Sequence, residues 1–150
     1  MKKILFVCTG NTCRSVLAHR YAAKLAADEK LPLKFSSAGL AAHKNIPQPP
    51  IVASLLSGEG VKKFKHSPTA LTDKLVKSSD LILAMTAGHK ASLLALHPRA
   101  AKKISTLTEY AGLGGDDIAD PYGQDDIFYR EIFKLIKSAV EAAVEKLKKK

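Results

Sequence analysis

Eight residues near the N-terminus, Cys8 to Ser15, combine side chains that can bind the oxygens of an oxyanion with one that can attack its central atom. They follow a short apolar run and precede a helical pattern, so we expect them to connect a first strand to a first helix. Such a loop turns backbone N–H groups and the positive end of the helix dipole toward one point. Gly10 and Asn11 tolerate the backbone angles that the turn requires. Arg14 adds a planar guanidinium that fits two oxygens of a phosphate.

Cys8 is the candidate nucleophile of this loop. Surroundings that stabilise a bound phosphate also stabilise a thiolate, the reactive form of cysteine, and the Ser15 hydroxyl can donate a further hydrogen bond to it. A lone cysteine is more often a buried strand residue, and a lone arginine is more often a solvated helix residue. Glycine, asparagine, arginine and serine at these spacings favour the chemical interpretation instead. The loop therefore predicts an ionised sulfur beside a bound phosphoryl group.

The cysteine content argues against a disulfide scaffold and against a structural metal. The chain has only Cys8 and Cys13, five positions apart, whereas small secreted scaffolds use more cysteines at wider spacing. Zinc requires two further ligands, and no nearby histidine or cysteine supplies them. We therefore expect intracellular thiol chemistry with no metal and no cofactor.

Length and composition predict one globular domain over residues 1–150. The hydrophobic and charged fractions, 46% and 25%, are ordinary for such a domain. No stretch approaches the roughly 20 apolar residues of a membrane span, and the first apolar run is too short for a signal peptide, so we expect a cytoplasmic protein with no membrane partner. The net charge of +10 does not predict a nucleic-acid partner, because only 6% of the residues are aromatic and none is tryptophan. Much of the excess charge lies where it offsets the negative end of a helix dipole, at Lys146, Lys148, Lys149 and Lys150.

Strand and helix patterns alternate along the chain. Strands are predicted at Lys3 to Cys8, Leu33 to Ser37, Asp80 to Met85 and Lys103 to Leu107. Helices are predicted from Arg14, over Ile51 to Leu56, from a Thr86 cap to about Leu96, and from Asp125 along an apolar face of Phe128, Ile132, Leu135, Ile136, Val140, Ala143, Val144 and Leu147. This alternation predicts a single α/β domain in which a four-stranded parallel sheet carries helices on both faces. The loop from Cys8 then lies beyond the carboxyl end of a strand, where such sheets bind ligands.

The signature Cys-x5-Arg-Ser, here Cys8 to Ser15, resembles the active-site loop of the low-molecular-weight protein tyrosine phosphatases. The resemblance extends over nearly the whole chain, because Ser37-Ala38-Gly39, the strand Asp80 to Met85 and Asp120-Pro121-Tyr122-Gly123 fall where that family has counterparts. It implies the Rossmann-like fold of that family and a protein phosphatase in which Cys8 forms a phosphocysteine that water hydrolyses. It also implies that Asp120 is the general acid, which the chemistry needs because the leaving group departs poorly as an anion.

The resemblance implies roles for the other residues around the loop. Arg14 would clamp the transition state, Tyr122 would form a wall of the substrate pocket, and His66 would brace the loop asparagine. The phosphate would be held by Thr9, Gly10, Asn11, Thr12, Cys13 and Ser15. The expected partners are phosphorylated proteins, with inorganic phosphate and other oxyanions as inhibitors.

Thr12 bears on substrate preference. Tyrosine-specific members of the family usually have an aliphatic residue here, whereas the loop Cys-Thr-Gly-Asn-Thr-Cys-Arg-Ser resembles the branch that includes bacterial protein arginine phosphatases. A hydroxyl in the pocket suits a polar guanidinium better than a phenyl ring. The sequence thus favours phosphoarginine, with phosphotyrosine as the alternative. Two positions depart from the family pattern, since Val16 replaces a usual proline and His19 replaces a common acidic residue.

Several interpretations stay open from the sequence. Cys13 either forms a reversible disulfide with Cys8 or packs beneath the loop, and His66 is either a brace or a surface histidine. A non-catalytic phosphate-binding module would lack Cys8, Arg14 or Asp120, all of which are present, and arsenate reduction on the same fold normally needs more cysteines. The other histidines in the middle of the chain lack metal-ligand spacing and are expected on the surface: His43, His89 and His97.

Overall fold

The first strand, β1 (Lys2–Cys8), carries the hydrophobic pattern that organises the sheet. In the computed structural model, which describes residues 1–149, its alternate residues enter two separate apolar clusters. Ile4 and Phe6 belong to one cluster, and Leu5 and Val7 belong to the other. A strand that is apolar on both faces requires a layer on each side, so β1 lies inside the sheet.

Strands and helices alternate in the order that the sequence predicts. The elements after β1 are α1 (Arg14–Asp28), β2 (Leu33–Gly39), α2 (Pro50–Gly58), α3 (Asp73–Ser78), β3 (Leu81–Ala84), α4 (Ala87–Leu96), β4 (Ile104–Thr106), α5 (Leu107–Tyr110) and α6 (Asp126–Lys148), with a 3-10 helix over Pro98–Lys103. The four strands are parallel, in the spatial order β2-β1-β3-β4. Residues of α1, α2 and α6 cover one face of the sheet, and residues of α3 and α4 cover the other. The predicted α/β architecture is confirmed.

The sheet order places the loop after β1 at a ligand-binding edge. Because β2 lies on one side of β1 and β3 on the other, the chain leaves β1 at the point where the strand order reverses. The last residue of β1, Cys8, is in register with Gly39 at the end of β2. Helix α1 begins at Arg14, and the side chain of Cys13 at its N-cap makes no capping hydrogen bond. The first N–H groups of α1 are therefore not satisfied by a side-chain cap.

Two predicted helix starts are confirmed by their caps, whereas other details of the prediction are wrong. Thr86 accepts a hydrogen bond at the start of α4, and Asp125 does the same for α6. The helix predicted to end at Leu56 runs to Gly58, and α3 and α5 were not predicted because segments of 6 and 4 residues are too short to show a helical period. Leu135 was assigned to the buried face of α6, but it is 38% exposed at the edge of that face.

The basic end of α6 takes part in packing. Lys146 and Lys148 lie in its last turn, where they offset the helix dipole as predicted. Lys146 also donates to the Tyr110 carbonyl, at 3.3 Å, and lies 4.2 Å from the centre of the Tyr110 ring. Lys150 was predicted to contribute to the same charge and lies outside the described residues. Within residues 1–149, no helix has both the length and the apolar content that a bilayer span requires.

Candidate active site

A cleft of about 220 Å³ opens beside the loop that follows β1. Its walls come from the loop itself and from two later segments, one between β2 and α2 and one before α6: Cys8, Thr9, Gly10, Thr12, Cys13, Arg14, Ala41, Ile46, Asp120 and Tyr122. The structure thus brings the predicted nucleophile, arginine, acid and pocket residues together in one cavity. Asn11 and Ser15, the other two predicted phosphate-binding residues, do not line it.

Two hydrogen-bond donors lie against the Cys8 sulfur. The Ser15 Oγ is 2.9 Å from Sγ, and the backbone N–H of Asn11 donates to Sγ at 3.3 Å. The Ser15 oxygen also accepts a hydrogen bond from Asn11 Nδ2, at 2.8 Å, so its own proton is available for the sulfur. Both donors stabilise a thiolate more than a thiol. The contact between Ser15 and Cys8 that the sequence led us to expect is present.

Asn11 holds the loop in its tight turn. Its φ of 54° is in the left-handed region, which asparagine enters more readily than most residues. Its side-chain oxygen accepts from the backbone N–H of Thr69, at 2.9 Å, which orients its amide nitrogen toward Ser15. Its carbonyl accepts from His66 Nε2, at 2.6 Å. The asparagine is fully buried, so these contacts decide the shape of the loop.

His66 contacts the loop asparagine, as the brace interpretation expects. A carbonyl only accepts hydrogen bonds, so the Nε2 that faces the Asn11 oxygen must carry a proton. Burial lowers the pKa of His66, although the hydrogen bond to Asn11 acts in the opposite direction. The ring is therefore neutral at pH 7 and half-buried, not a free surface group. Thr69, the second brace, was missed because an exposed threonine that acts through its backbone N–H has no sequence signal.

Gly39 is a second residue that the sequence analysis did not assign to the site. A Cβ at this position would lie 2.5 Å from the Thr9 carbonyl oxygen and 3.0 Å from the Asn11 nitrogen. Both are backbone atoms of the loop and cannot rotate away. The end of β2 therefore approaches the loop more closely than any residue with a side chain allows.

Gly39→Ala is expected to displace the loop and to lower the stability of the fold. The added methyl must push the backbone of Thr9, which costs about 1–3 kcal/mol of unfolding free energy and weakens phosphate binding. Urea denaturation and calorimetric titration with phosphate measure both effects. Gly58→Ala is the matched control, because a Cβ there meets nothing within 4 Å and alanine is the better helix former. Wild-type stability and phosphate affinity in Gly39→Ala would contradict the steric argument.

Arg14 is anchored at the floor of the cleft. Its guanidinium is buried, and Nη1 donates to the Ile118 carbonyl at 2.9 Å. The Ile118 N–H donates in turn to the carbonyl of Met85, the residue just after β3, at 3.0 Å. The loop before α6 is thus tied to the sheet through its backbone. Ile118 acts through its carbonyl, so a sequence pattern cannot reveal its role.

Asp120 lies at the rim of the cleft, close to this arginine. Its Oδ2 is 3.6 Å from Arg14 Nη2, and its Oδ1 accepts from the Tyr122 N–H at 3.1 Å. The side chain of Asp120 is 54% exposed, and Tyr122 is 58% exposed. A carboxyl group that is fixed by its own turn but open to solvent can exchange protons with both substrate and water.

The two cysteines differ in their environment. Burial raises the pKa of the Cys13 thiol, and the nearby charges of Cys8 and Asp120 raise it further, against the smaller opposite effect of Arg14. Cys13 therefore keeps its proton at neutral pH. Cys8 has the contacts with Ser15 and Asn11 that favour an anion. Both cysteines are free, and a reversible disulfide between them stays a prediction.

Two histidines near the loop have roles that the sequence did not resolve. His89 was expected on the surface, which is wrong, because it is 8% exposed and its Nε2 lies 2.8 Å from the Thr9 hydroxyl. His19 lies 3.0 Å from the Ser37 hydroxyl through Nδ1, and burial lowers its pKa to about 4, so the ring is neutral. Val16, the other departure from the family pattern, is fully buried in the core.

Within residues 1–149, no three His, Cys, Asp or Glu side chains are grouped so as to hold a metal ion.

Comparison with known proteins agrees with this geometry. Residues 3–150 match the model of the family described as low molecular weight phosphotyrosine protein phosphatase. The chain belongs to this family. It is therefore an enzyme, a low molecular weight protein phosphatase, as the sequence predicts.

Relatives of this phosphatase carry two kinds of name. The protein-arginine-phosphatase of Bacillus subtilis (strain 168) is 34% identical over 146 residues, which cover 97% of each chain. The probable low molecular weight protein-tyrosine-phosphatase EpsP of Ralstonia nicotianae is 31% identical over 149 residues, which cover 99% of this chain and 97% of the relative. A solved structure of the YwlE arginine phosphatase, a cysteine-to-serine mutant with a phosphorylated active-site serine, matches with a TM-score of 0.92 and 33% identity over 98% of this chain and 96% of that chain. The likeness in sequence and structure confirms the family and its fold.

Proposed function

We propose that residues 1–150 form one phosphatase domain that removes phosphoryl groups from protein side chains in two steps, with phosphoarginine as the preferred substrate. In this proposal Cys8 is the nucleophile, Arg14 clamps the transition state, and Asp120 is first the acid and then the base. The observation that carries it is the cleft itself. A sulfur with two donors, a buried guanidinium and a carboxylate 3.6 Å from that guanidinium border one cavity.

In the first step the phosphoryl group moves from substrate to Cys8. The thiolate attacks phosphorus, so a P–S bond forms while the P–N bond of phosphoarginine breaks. The electron pair of the broken bond goes to the leaving nitrogen, which takes the proton of the Asp120 carboxyl group. Arg14 is already desolvated and anchored to Ile118. It therefore stabilises the charge on the phosphoryl oxygens with little reorganisation.

In the second step water releases the phosphoryl group. The Asp120 carboxylate takes a proton from the attacking water, a P–O bond forms, and the P–S bond breaks to return the Cys8 thiolate. The exposure of Asp120 supports this role, because its carboxylate reaches solvent water. The contacts of Ser15 and Asn11 with Sγ lower the energy of the leaving thiolate.

The remaining loop residues hold the three phosphoryl oxygens. Residues at the rim of the cleft contact the substrate side chain to which the phosphoryl group is attached. The backbone of Thr9 to Ser15 supplies N–H donors at the start of α1, as anion-binding loops do. Inorganic phosphate and other oxyanions would compete for the same donors. Tyr122 would form a wall against the substrate side chain, and its exposure at the rim supports that role.

Thr12 supports phosphoarginine as the preferred substrate. The residue lines the cleft, is 8% exposed, and its hydroxyl makes no hydrogen bond with any other of residues 1–149. A guanidinium N–H would satisfy this oxygen, whereas a phenyl ring would leave it buried and unpaired, at a cost of about 1–3 kcal/mol. The name of the Bacillus subtilis relative agrees with this preference. Phosphotyrosine is the second candidate, because Tyr122 offers an aromatic face to a phenyl ring.

Thr12→Val and Thr12→Ile are expected to shift this preference toward phosphotyrosine. Valine removes the hydroxyl at nearly constant volume, and isoleucine adds apolar bulk. We expect the ratio of kcat/KM for matched phosphoarginine and phosphotyrosine peptides to fall by about 5- to 100-fold in both variants. Both values of kcat/KM are measured on the same preparation, so the amount of folded enzyme cancels in their ratio. An unchanged ratio would remove Thr12 from selectivity, and a wild-type preference for phosphotyrosine would overturn the choice of substrate.

The two free thiols support a cytoplasmic location. Cys8 and Cys13 both lie in the loop and are unbridged. Disulfides are rare in reducing compartments, so a Cys8 nucleophile that must return to its free form after each turnover suits the cytoplasm. The expected partners are therefore phosphorylated proteins of the cytoplasm.

A further inference from the structure

His89 is buried beside the phosphate-binding loop, and only one of its ring nitrogens has a hydrogen-bond partner among residues 1–149. It lies in the first turn of α4, where its backbone N–H donates to the Thr86 hydroxyl that caps the helix, at 3.0 Å. Its Nε2 is 2.8 Å from Oγ1 of Thr9. Its Nδ1 is buried and has no hydrogen-bond partner within residues 1–149. A buried ring with one polar contact, made to the loop, requires an explanation.

The Thr9 hydroxyl can serve either the ring or the cleft. Thr9 lines the cleft, and its carbonyl is already bound by the Ala41 N–H at 2.9 Å. A hydroxyl has one proton and two lone pairs. If His89 Nε2 carries a proton, the Thr9 oxygen accepts a hydrogen bond from this N–H, and the Thr9 hydroxyl proton stays available for another acceptor. If Nε2 is bare, the hydroxyl donates to the ring and presents only lone pairs to the cleft.

The surroundings of the ring favour the neutral form with its proton on Nε2. Burial lowers the pKa of His89, and Arg14 on α1 lowers it further, while Asp117 and Asp120 before α6 act in the opposite direction. A neutral imidazole has a single N–H. On Nδ1 that N–H would be buried without an acceptor, which native structures rarely tolerate. On Nε2 it has the Thr9 oxygen.

We propose that His89 is a positioning residue whose Nε2–H holds the Thr9 hydroxyl so that the Thr9 proton faces the phosphoryl group in the cleft. The inference rests on the proposed function, because it assigns one more donor to the same oxyanion. A hydrogen bond to a charged oxygen is about twice as strong as one between neutral groups. The donor should therefore strengthen the binding of phosphate and of the transition state by about 10- to 100-fold.

A double-mutant cycle tests this inference through activity and phosphate affinity. His89→Leu removes the ring donor, Thr9→Val removes the hydroxyl, and the double variant removes both. We expect each single variant to lower kcat/KM for p-nitrophenyl phosphate and to raise the inhibition constant of phosphate by about 10- to 100-fold. The double variant should be no worse than either single variant, because both act through one hydrogen bond. His89→Gln, which can place an amide N–H near the position of Nε2, should recover most of the loss.

His97→Gln is the matched control, because His97 at the end of α4 faces Asp73 and does not line the cleft. Fully additive losses in the double variant, or an unchanged inhibition constant in His89→Leu, would show that His89 only supports the fold. If the wild-type protein itself does not hydrolyse p-nitrophenyl phosphate, the proposed function fails instead. The two failures are therefore distinguishable.

The proton on the ring can also be observed without mutating His89. A long-range ¹H–¹⁵N spectrum of the Cys8→Ser variant, saturated with inorganic phosphate, separates the protonated ring nitrogen from the bare one. We expect the His89 proton on Nε2. A proton on Nδ1, with Nε2 bare, would overturn the inference even if the His89 variants did not fold.

Discussion

Cys8→Ser is expected to lower kcat by at least about 10⁴-fold, a loss of the size seen when a covalent nucleophile is removed from other enzymes. The contacts that stabilise an anion at this position are those of Ser15 and the Asn11 N–H with Sγ. The proposed mechanism needs a thiolate at this position, and an alcohol is a much weaker nucleophile than a thiolate. Turnover of p-nitrophenyl phosphate measures the effect.

Phosphate affinity separates this loss of reactivity from a loss of the site. Serine and cysteine are similar in size, and neither the bracing of Asn11 nor the anchoring of Arg14 depends on sulfur. Calorimetric titration should therefore give a dissociation constant for inorganic phosphate within a few-fold of the wild-type value. Residual turnover near the wild-type rate would remove Cys8 as the nucleophile.

Asp120→Asn is expected to make the rate depend strongly on the leaving group. The asparagine oxygen can still accept the hydrogen bond of the Tyr122 N–H, so the turn should keep its shape. The amide cannot donate a proton as a carboxylic acid does, and general acid catalysis contributes about 10²- to 10⁴-fold. We expect kcat/KM for phenyl phosphate to fall by about this factor. The loss for p-nitrophenyl phosphate should be much smaller, because its leaving anion is stable without a proton.

The choice of kcat/KM restricts this comparison to the first step. Hydrolysis of the phosphocysteine follows the release of the first product and is common to both substrates. Asp116→Asn is the matched control, since it changes another exposed carboxylate of the same loop that does not line the cleft. Equal losses for the two substrates would mean that Asp120 does not protonate the leaving group.

The elements were predictable where the apolar pattern was long enough to show its period. β1 alternates between two clusters, and α6 carries a long apolar stripe, so both were predicted close to their observed bounds. α3 and α5 were missed because neither is long enough to repeat a period. Leu135 was misplaced because the edge of an apolar stripe depends on which neighbouring helices cover it.

The residues of the site also divide into those that the sequence predicted and those that it did not. Those in the loop were found from their types and spacing, because a turn between a strand and a helix positions every residue within it. Asp120 and Tyr122 were found through a family resemblance, since an Asp-Pro turn alone would indicate only a loop. Gly39, Thr69, Ile118 and His89 were not found. Three of these act through backbone atoms or the lack of a side chain, and the fourth looked like a surface histidine.

The amino-acid sequence by itself determined the chemistry of the loop and the class of fold, because both follow from neighbouring residues and from local hydrophobic periods. Only the tertiary structure decided which distant groups meet that loop. The order β2-β1-β3-β4 brings the ends of three strands together, so that Gly39 shapes the loop, Met85 anchors Ile118 against Arg14, and His89 reaches Thr9. These contacts join residues far apart in the chain. No local pattern encodes them, because the free energy that selects them comes from packing the whole sheet.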